Sequence, residues 1–412
     1  VTIEYNCTKS GLQTYIKMRK FSADYLFTGQ EMAAEGMILI TSDDGTVEAV
    51  LPPADAGDGV EVLPGLLTPG FVNCHCHLEL SHMKGLLPEK TGMVDFLLHV
   101  IRGRGVATAQ GDDESRILSA IAGAEGSMLD NGIVAVGDIC NTSLTLKQKV
   151  EGRLHYHNFI ETMGFIEQTA PDRLEAAAKV FGAFAEAYSL PIAAVSLVPH
   201  APYSVSPRLF QRIANFPGNQ LITIHNQESQ AENVFCQTGQ GDFLRLYKGL
   251  GLDVSFFKGW GKRSMAAYLP HFYRNQTLLL VHNVDTREED LAWKGGPDLC
   301  FCLCPNANLY IGGQLPDVEL LMQHDCRIVL GTDSLASNHQ LDILEEMKTL
   351  QLYFPALPTA TLLQWATSNG AGVLQMDGVL GTFDPGKQPG VVLVSGIEGG
   401  RFTKGSKAHR LI

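Results

Sequence analysis

The sequence predicts an α/β protein: a distorted (β/α)₈ barrel over residues 66–377, with a small β-sandwich domain built from both chain ends, residues 1–65 and 378–412. Three observations lead there. The 412 residues exceed the roughly 100–200 of one ordinary domain. From Leu66 onward, short apolar strands alternate with longer amphipathic stretches. Histidines and an aspartate recur at the ends of those strands, and the C-terminal mouth is where a barrel collects its functional groups. A doubly wound sheet shares the alternation, so the placement of the polar residues is the better discriminator.

In chain order, Ala23–Thr28, Gly36–Thr41 and Val47–Leu51 read as short strands, with Asp43-Asp44-Gly45 as a hairpin turn. The barrel strands are expected at Leu66–His77, Ile133–Ile139, Leu154–Glu161, Ala193–His200, Leu221–His225, Leu278–Asn283, Leu299–Cys304 and Arg327–Asp333. Helical patterns fall between them at Pro171–Ser189, Pro207–Ala214, Val318–His324 and Leu341–Tyr353. Gly381–Val394 returns to β character, which is why the two ends are expected to pair.

Composition narrows the function. Apolar residues make up 45% of the chain and charged residues 18%, a globular balance that excludes general disorder. With 31 basic and 44 acidic residues the formal charge is −13, so a nucleic-acid polymer would be repelled. No apolar run reaches the length of a membrane span. Val1–Ser10 lacks the apolar core of an export signal, and nine cysteines do not suggest a disulfide framework. A reduced, cytoplasmic protein is expected.

The chemistry concentrates in Asn73-Cys74-His75-Cys76-His77. Side chains two apart on a strand share a face, so both imidazoles can reach one metal ion. His200, His225, His282 and Asp333 end later strands, which brings them to the same mouth. Glu228 follows His225 by three residues, and a carboxylate beside a metal site can carry a proton to substrate. A helix N-terminus would also favour Glu there.

Leu67–His77, Pro199-His200-Ala201-Pro202-Tyr203-Ser204, Thr223–Glu228, Val281-His282-Asn283 and Leu330-Gly331-Thr332-Asp333-Ser334 together resemble the signature of the amidohydrolase superfamily. The likeness is greatest to its deaminase and chlorohydrolase branch, which holds S-adenosylhomocysteine, guanine, cytosine and aminodeoxyfutalosine deaminases and triazine hydrolases. The resemblance implies one divalent ion per chain, zinc before iron, on His75, His77, His225 and Asp333. It implies that Glu228 passes a proton to a ring nitrogen of the substrate. By the same resemblance His282 would polarise the attacking water or the developing charge at the reacting carbon, Asp333 would relay the water proton, and His200 would hydrogen-bond the substrate. Dinuclear members carry a carboxylated Lys at the end of the fourth strand; no Lys lies between Pro191 and Gln220 here, so a mononuclear site is implied.

The activity so implied is hydrolytic deamination of an aminated base or nucleoside to the lactam and ammonia. An adenine-bearing nucleoside or aminodeoxyfutalosine is favoured. The alternatives are a triazine-type chlorohydrolase on the same site, or an inactive relative serving as a binding or assembly module. The expected partner is a small heterocyclic amine, with neither nucleic-acid polymer nor membrane, and a homodimer is compatible with it. Asn306, Asn308 and Tyr310 are expected to face the mouth from the loop after the seventh strand; Glu79, Asn306 and Tyr310 are further candidates for substrate contact, and Trp260 with Phe256–Phe257 for a lid or extra helix. Cys74 and Cys76 face away from the histidines and read as packing residues. Cys300, Cys302 and Cys304 are spaced too widely along a strand to hold one tetrahedral ion.

Overall fold

The computed structural model describes residues 18–108, 113–188 and 194–412. Val1–Ser10, and Ala193 at the expected start of the fourth barrel strand, lie outside them. Among the described residues fourteen strands run in chain order: β1 Met18–Leu26, β2 Ile38–Ser42, β3 Val47–Leu51, β4 Glu61–Pro69, β5 Phe71–Cys76, β6 Ile133–Cys140, β7 His155–Thr162, β8 Val195–Pro199, β9 Leu221–Asn226, β10 Thr277–His282, β11 Asp298–Leu303, β12 Arg327–Leu330, β13 Val391–Glu398 and β14 Arg401–Arg410. The chain divides into two compact units. The first runs to Val72 and takes in Leu129–Val134 and Ile343–Ile412; the second is Asn73–Met128 with Ala135–Asp342.

The second unit is the α/β part. Its strands form two four-stranded parallel sheets, β5-β6-β7-β8 and β9-β10-β11-β12, a barrel-type arrangement with helices between successive strands. Cys76 bridges Asp333 in parallel at one seam, and the His225 N–H donates to His200 O (3.0 Å) at the other. All strand positions from Phe71 to Cys76 and from Ile133 to Cys140 are buried. That is why these strands read as nearly unbroken apolar runs rather than alternating ones. The helices follow their local signals. Pro207–Ala214 starts with Pro at its first turn, the Ser206 hydroxyl accepts from Leu209 N (3.3 Å), and Leu209, Phe210 and Ile213 form the buried face. No helix among the described residues is long and apolar enough to cross a membrane.

The expected single strand Leu66–His77 is two strands that break at Gly70. A Cβ on Gly70 would lie 2.2 Å from Val134 Cγ1 and 2.7 Å from Pro389 O, so only glycine permits this close passage. β4 thereby enters one sheet and β5 another. The first unit also differs from a two-layer sandwich: its strands form one six-stranded sheet, β14-β13-β4-β1-β2-β3. β4 pairs parallel with β1 and antiparallel with β13, so the two chain ends extend a single hydrogen-bonded ladder. Phe21, Leu39, Leu67, Phe383 and Val391 form its core. The Asp43–Gly45 hairpin turn is present, with Gly45 at φ +85° and Asp44 Oδ1 accepting from Thr46 N (3.0 Å). Helices Ile343–Tyr353, Thr359–Ala366 and Ser368–Val373 group with this unit by contact, whereas the sequence draws the boundary near residue 377.

Candidate active site

The strand ends of the second unit bring six of the predicted residues together. His77 Nε2 lies 3.2 Å from His75 Nε2 and 3.2 Å from His225 Nε2. Asp333 Oδ1 lies 3.5 Å from His75 Nε2 and 3.4 Å from His77 Nε2. His282 Nε2 is 3.4 Å from Glu228 Oε1. All six side chains are buried.

The donor set fits a divalent metal ion. Ligands ~2.05 Å from a tetrahedral ion are about 3.3 Å apart, and the four separations run from 3.2 to 3.5 Å. The chemistry agrees with the spacing. His225 Nδ1 donates to His200 O (2.8 Å), which leaves its Nε2 as a lone pair aimed at His77 Nε2. Burial pushes the His225 imidazole down to about 4, so it is neutral at pH 7. A nitrogen lone pair aimed at another ring nitrogen at such a distance is repelled by any lone pair it meets unless a proton or a metal cation lies between them. His75, His77 and His225 form one group of ligand atoms within 4.8 Å of one another, and His75, His282 and Asp333 form a second, so these residues could hold an ion.

Backbone strain shapes the strand ends. Gln227 (φ +47°), His282 (+79°), Asn283 (+60°) and Asp333 (+55°) are all left-handed and none is glycine. Such conformations cost of order 1–3 kcal/mol each and persist only where surrounding bonds impose them. Those bonds are present. Asp333 N donates to His75 O (3.0 Å), and the Ser337 hydroxyl donates to Asp333 Oδ2 (2.5 Å). Asn283 Nδ2 donates to Leu280 O (2.9 Å), and Asn308 Nδ2 lies 3.0 Å from His282 Nδ1.

Burial pushes the Glu228 carboxyl well above the usual range, reinforced by the charges of Asp333 and Glu232. Burial lowers the His282 imidazole well below its usual value. Burial alone would raise Asp333, but the His75 hydrogen bond and the neighbouring imidazoles outweigh it and hold the carboxyl well below the ordinary range. The site thus pairs one carboxyl poised to carry a proton with one held ionised, the separation that acid–base chemistry needs.

A cavity of about 160 Å³ opens on these groups. Leu80, Met93, Phe96, Leu97 and Val100 line one part, and Asn141, Glu161 and His200 add polar groups. His200 is therefore where the sequence puts it, with Nδ1 2.7 Å from Ser204 Oγ. Glu79, Asn306 and Tyr310 are not among the lining residues. The Glu79 carboxylate accepts from Asn141 N, Thr142 N and Thr142 Oγ1 (3.2, 3.2 and 3.1 Å), so it shapes the loop after β6. The Tyr310 hydroxyl donates to Leu87 O (2.6 Å). From the segment after β11 it is Asn308, two residues beyond Asn306, that reaches His282. Phe257 and Trp260 pack with Phe165 and Phe235, and no helix forms over them. The eight cysteines among the described residues are free, and Cys74 and Cys76 are fully buried.

Glu161 is the main residue that strand-end reasoning passed over. It closes the third barrel strand, as the histidines close theirs, and its Oε1 lies 3.6 Å from His225 Nδ1 while Asn141 Nδ2 donates to its Oε2 (2.8 Å). Its position at a strand end was the available signal.

Known proteins similar to this chain include the following. A 5-methylthioadenosine/S-adenosylhomocysteine deaminase of Teredinibacter turnerae is 25% identical over 348 residues, covering 81% of this chain and 72% of the relative. The structure of Helicobacter pylori aminofutalosine deaminase in complex with methylthio-coformycin superposes with a TM-score of 0.77 at 22% identity, covering 96% of this chain and all of that one. A zinc-bound adenosine deaminase from Xanthomonas campestris gives 0.67 at 20% identity, covering 91% and 84%. The amidohydrolase family model matches residues 66–406, most of the chain, and the chain therefore belongs to the amidohydrolase family.

Proposed function

We propose that the protein is a mononuclear metal-dependent aminohydrolase that converts the adenine amine of a nucleoside to the lactam with release of ammonia. The observation that carries this is the Glu228–His282 pair, 3.4 Å apart, beside Asp333 and the His75, His77 and His225 cluster, at the floor of one cavity. Two relatives named above act on adenine nucleosides by their names. The cavity supports a nucleoside rather than a nucleotide: among the described residues no Lys or Arg lines it, while Glu161, Glu228 and Asp333 do, so a phosphate would find no counter-charge there. Its apolar wall suits a heterocycle and the carbons of a sugar.

A divalent ion, with zinc proposed before iron, would be held by His75, His77, His225 and Asp333; when bound it lowers the pKa of water from 15.7 towards about 7. The chain's own groups do the rest. Glu228, kept protonated by burial, donates to the ring nitrogen next to the amine-bearing carbon and so weakens the aromatic resistance to attack. His282 faces the oxygen that adds there. Asp333, held ionised, accepts the proton from the attacking water and passes it to the departing amine. The balance is N=C–NH₂ plus H₂O giving HN–C=O plus NH₃, with the proton of the added hydroxyl returning to Glu228 as the C=O forms. His200, Asn141 and Glu161 orient the substrate from the polar side. The closed barrel over residues 66–377, a β domain from residues 1–65 and 378–412, and a cytoplasmic setting belong to the same proposal.

The test is metal analysis together with ammonia release over a panel of adenosine, 5′-deoxyadenosine, AMP, guanine, cytosine and a chlorinated triazine. About one ion per chain and turnover of the unphosphorylated adenine nucleosides are expected. No bound metal after growth with zinc or iron, or turnover of the triazine alone, would sink this assignment.

A further inference from the structure

The carboxylate of Glu232 stands behind the proton shuttle and takes no part in the chemistry set out above. It is fully buried, in the first turn of helix Gln230–Thr238. Its Oε1 accepts from Gln227 N (2.8 Å) and its Oε2 from Glu228 N (3.2 Å). A Glu three positions into a helix ordinarily reaches back to the N–H of the capping residue. Here the cap is Ser229, and the carboxylate passes it to take the two N–H groups before it. Successive N–H groups around a left-handed residue form a small concavity that binds an anion. Gln227 at φ +47° makes that concavity, and Glu232 supplies the anion. The turn is tied from the other side as well: Asp285 N donates to Gln227 O (2.8 Å) and the Thr286 hydroxyl to Gln227 Oε1 (2.6 Å). Glu228 is the next residue, and its direction towards His282 depends on this turn.

We infer that Glu232 is a positioning residue for the reaction: by clamping the backbone N–H groups of Gln227 and Glu228 it aims the Glu228 carboxyl at the reacting ring. This rests on the shuttle role proposed for Glu228. Glu232 touches neither the metal ligands nor the cavity, so its loss acts on turnover and not on substrate affinity. A misplacement of about 1 Å in such a group costs on the order of 10²-fold in rate.

The experiment compares Glu232→Gln, Glu232→Asp, Glu228→Gln and the Glu228→Gln/Glu232→Gln double variant, scoring bound metal, kcat and KM with 5′-deoxyadenosine or adenosine. Gln keeps the volume but replaces one acceptor with a donor, which leaves one N–H facing an NH₂. Glu232→Gln is expected to lower kcat roughly 10- to 100-fold, with metal content intact and KM within about threefold. Glu232→Asp, which keeps a carboxylate, is expected to fall between it and the wild type. The double variant should match Glu228→Gln within about twofold, because a residue acting through another adds nothing once that one is gone. Wild-type kcat in Glu232→Gln while Glu228→Gln is inactive would overturn this inference alone, as would a fully additive double variant. Unfolding or metal loss in both Glu232 variants would overturn it by assigning the residue to the fold. Full activity in Glu228→Gln would strike down the shuttle assignment and this inference with it.

Discussion

Replacing Lys149 with Met should cost this protein more than almost any other single change outside the active site. Lys149 Nζ lies 2.5 Å from Asp138 Oδ2, and both side chains are completely buried. The ammonium also donates to Asn158 Oδ1 (2.8 Å) and sits 4.8 and 5.2 Å from the ring centroids of Tyr156 and Phe184. Met fills nearly the same volume, so the loss is electrostatic. Asp138 is left as a buried carboxylate without a counter-charge, a situation worth about 3–5 kcal/mol of destabilisation. With no solvent to screen it, that is roughly 10²- to 10⁴-fold in the unfolding equilibrium. The double variant Asp138→Leu/Lys149→Met removes the orphaned charge. What remains is the lost acceptor for Leu78 N, which Asp138 Oδ1 holds at 2.8 Å, at about 1–3 kcal/mol. The double variant is therefore expected to be more stable than Lys149→Met alone. Urea midpoints followed by circular dichroism at fixed metal concentration measure both. A loss below ~1 kcal/mol in Lys149→Met, or a double variant less stable than the single, would refute the reasoning. Because Leu78 follows His77, metal affinity should fall in the same variants.

Other expectations are simpler to test. Glu228→Gln should retain its metal while kcat falls on the order of 10²–10⁴-fold, the range of a lost general acid–base group; metal analysis and ammonia release read the two separately. Ser337→Ala removes the hydroxyl that orients Asp333 Oδ2, and metal affinity by competitive chelation should weaken roughly 10- to 100-fold. His157 is buried against Ser196 Oγ (2.8 Å) and burial pushes its imidazole down to about 3 from 6.5. Its folded pKa lies below the unfolded one, so its neutral form favours the fold fully above pH 6.5 and that contribution is lost as pH falls towards 3. Wild type should lose about 1.4 kcal/mol per pH unit more than His157→Gln across that window, as urea titrations at several pH values would show; parallel pH profiles would contradict it.

Much of the site was legible because metal chemistry restricts both residue type and spacing. His75 and His77 share a face by strand periodicity alone, and His225, His282 and Asp333 each close an apolar run. Residues at loop positions were less legible. Glu79 and Tyr310 are polar and near the mouth in sequence, yet the first is bonded to the Asn141–Thr142 backbone and the second to Leu87 O. Asn306 and Asn308 differ by two positions on one short helix, and only the helix's orientation decides that Asn308 meets His282. The single strand expected over Leu66–His77 failed at Gly70 because Val134 and Pro389, remote in sequence, set the room available there.

By itself, then, the sequence determined the α/β class and the eight strand positions from Phe71 to Leu330, and it set His75, His77, His225, His282 and Asp333 at or just beyond strand ends, since burial leaves periodic marks along the chain. Tertiary structure alone decided what those marks cannot record: the left-handed turns at Gln227, His282 and Asp333, the clamp of Glu232 on the shuttle's backbone, the buried Lys149–Asp138 pair and the joining of both chain ends in one six-stranded sheet. The physical reason is range. A pattern of apolar residues reports which face of a segment avoids water. Hydrogen bonds and ion pairs between distant segments depend on where other segments come to lie, and no local period encodes that.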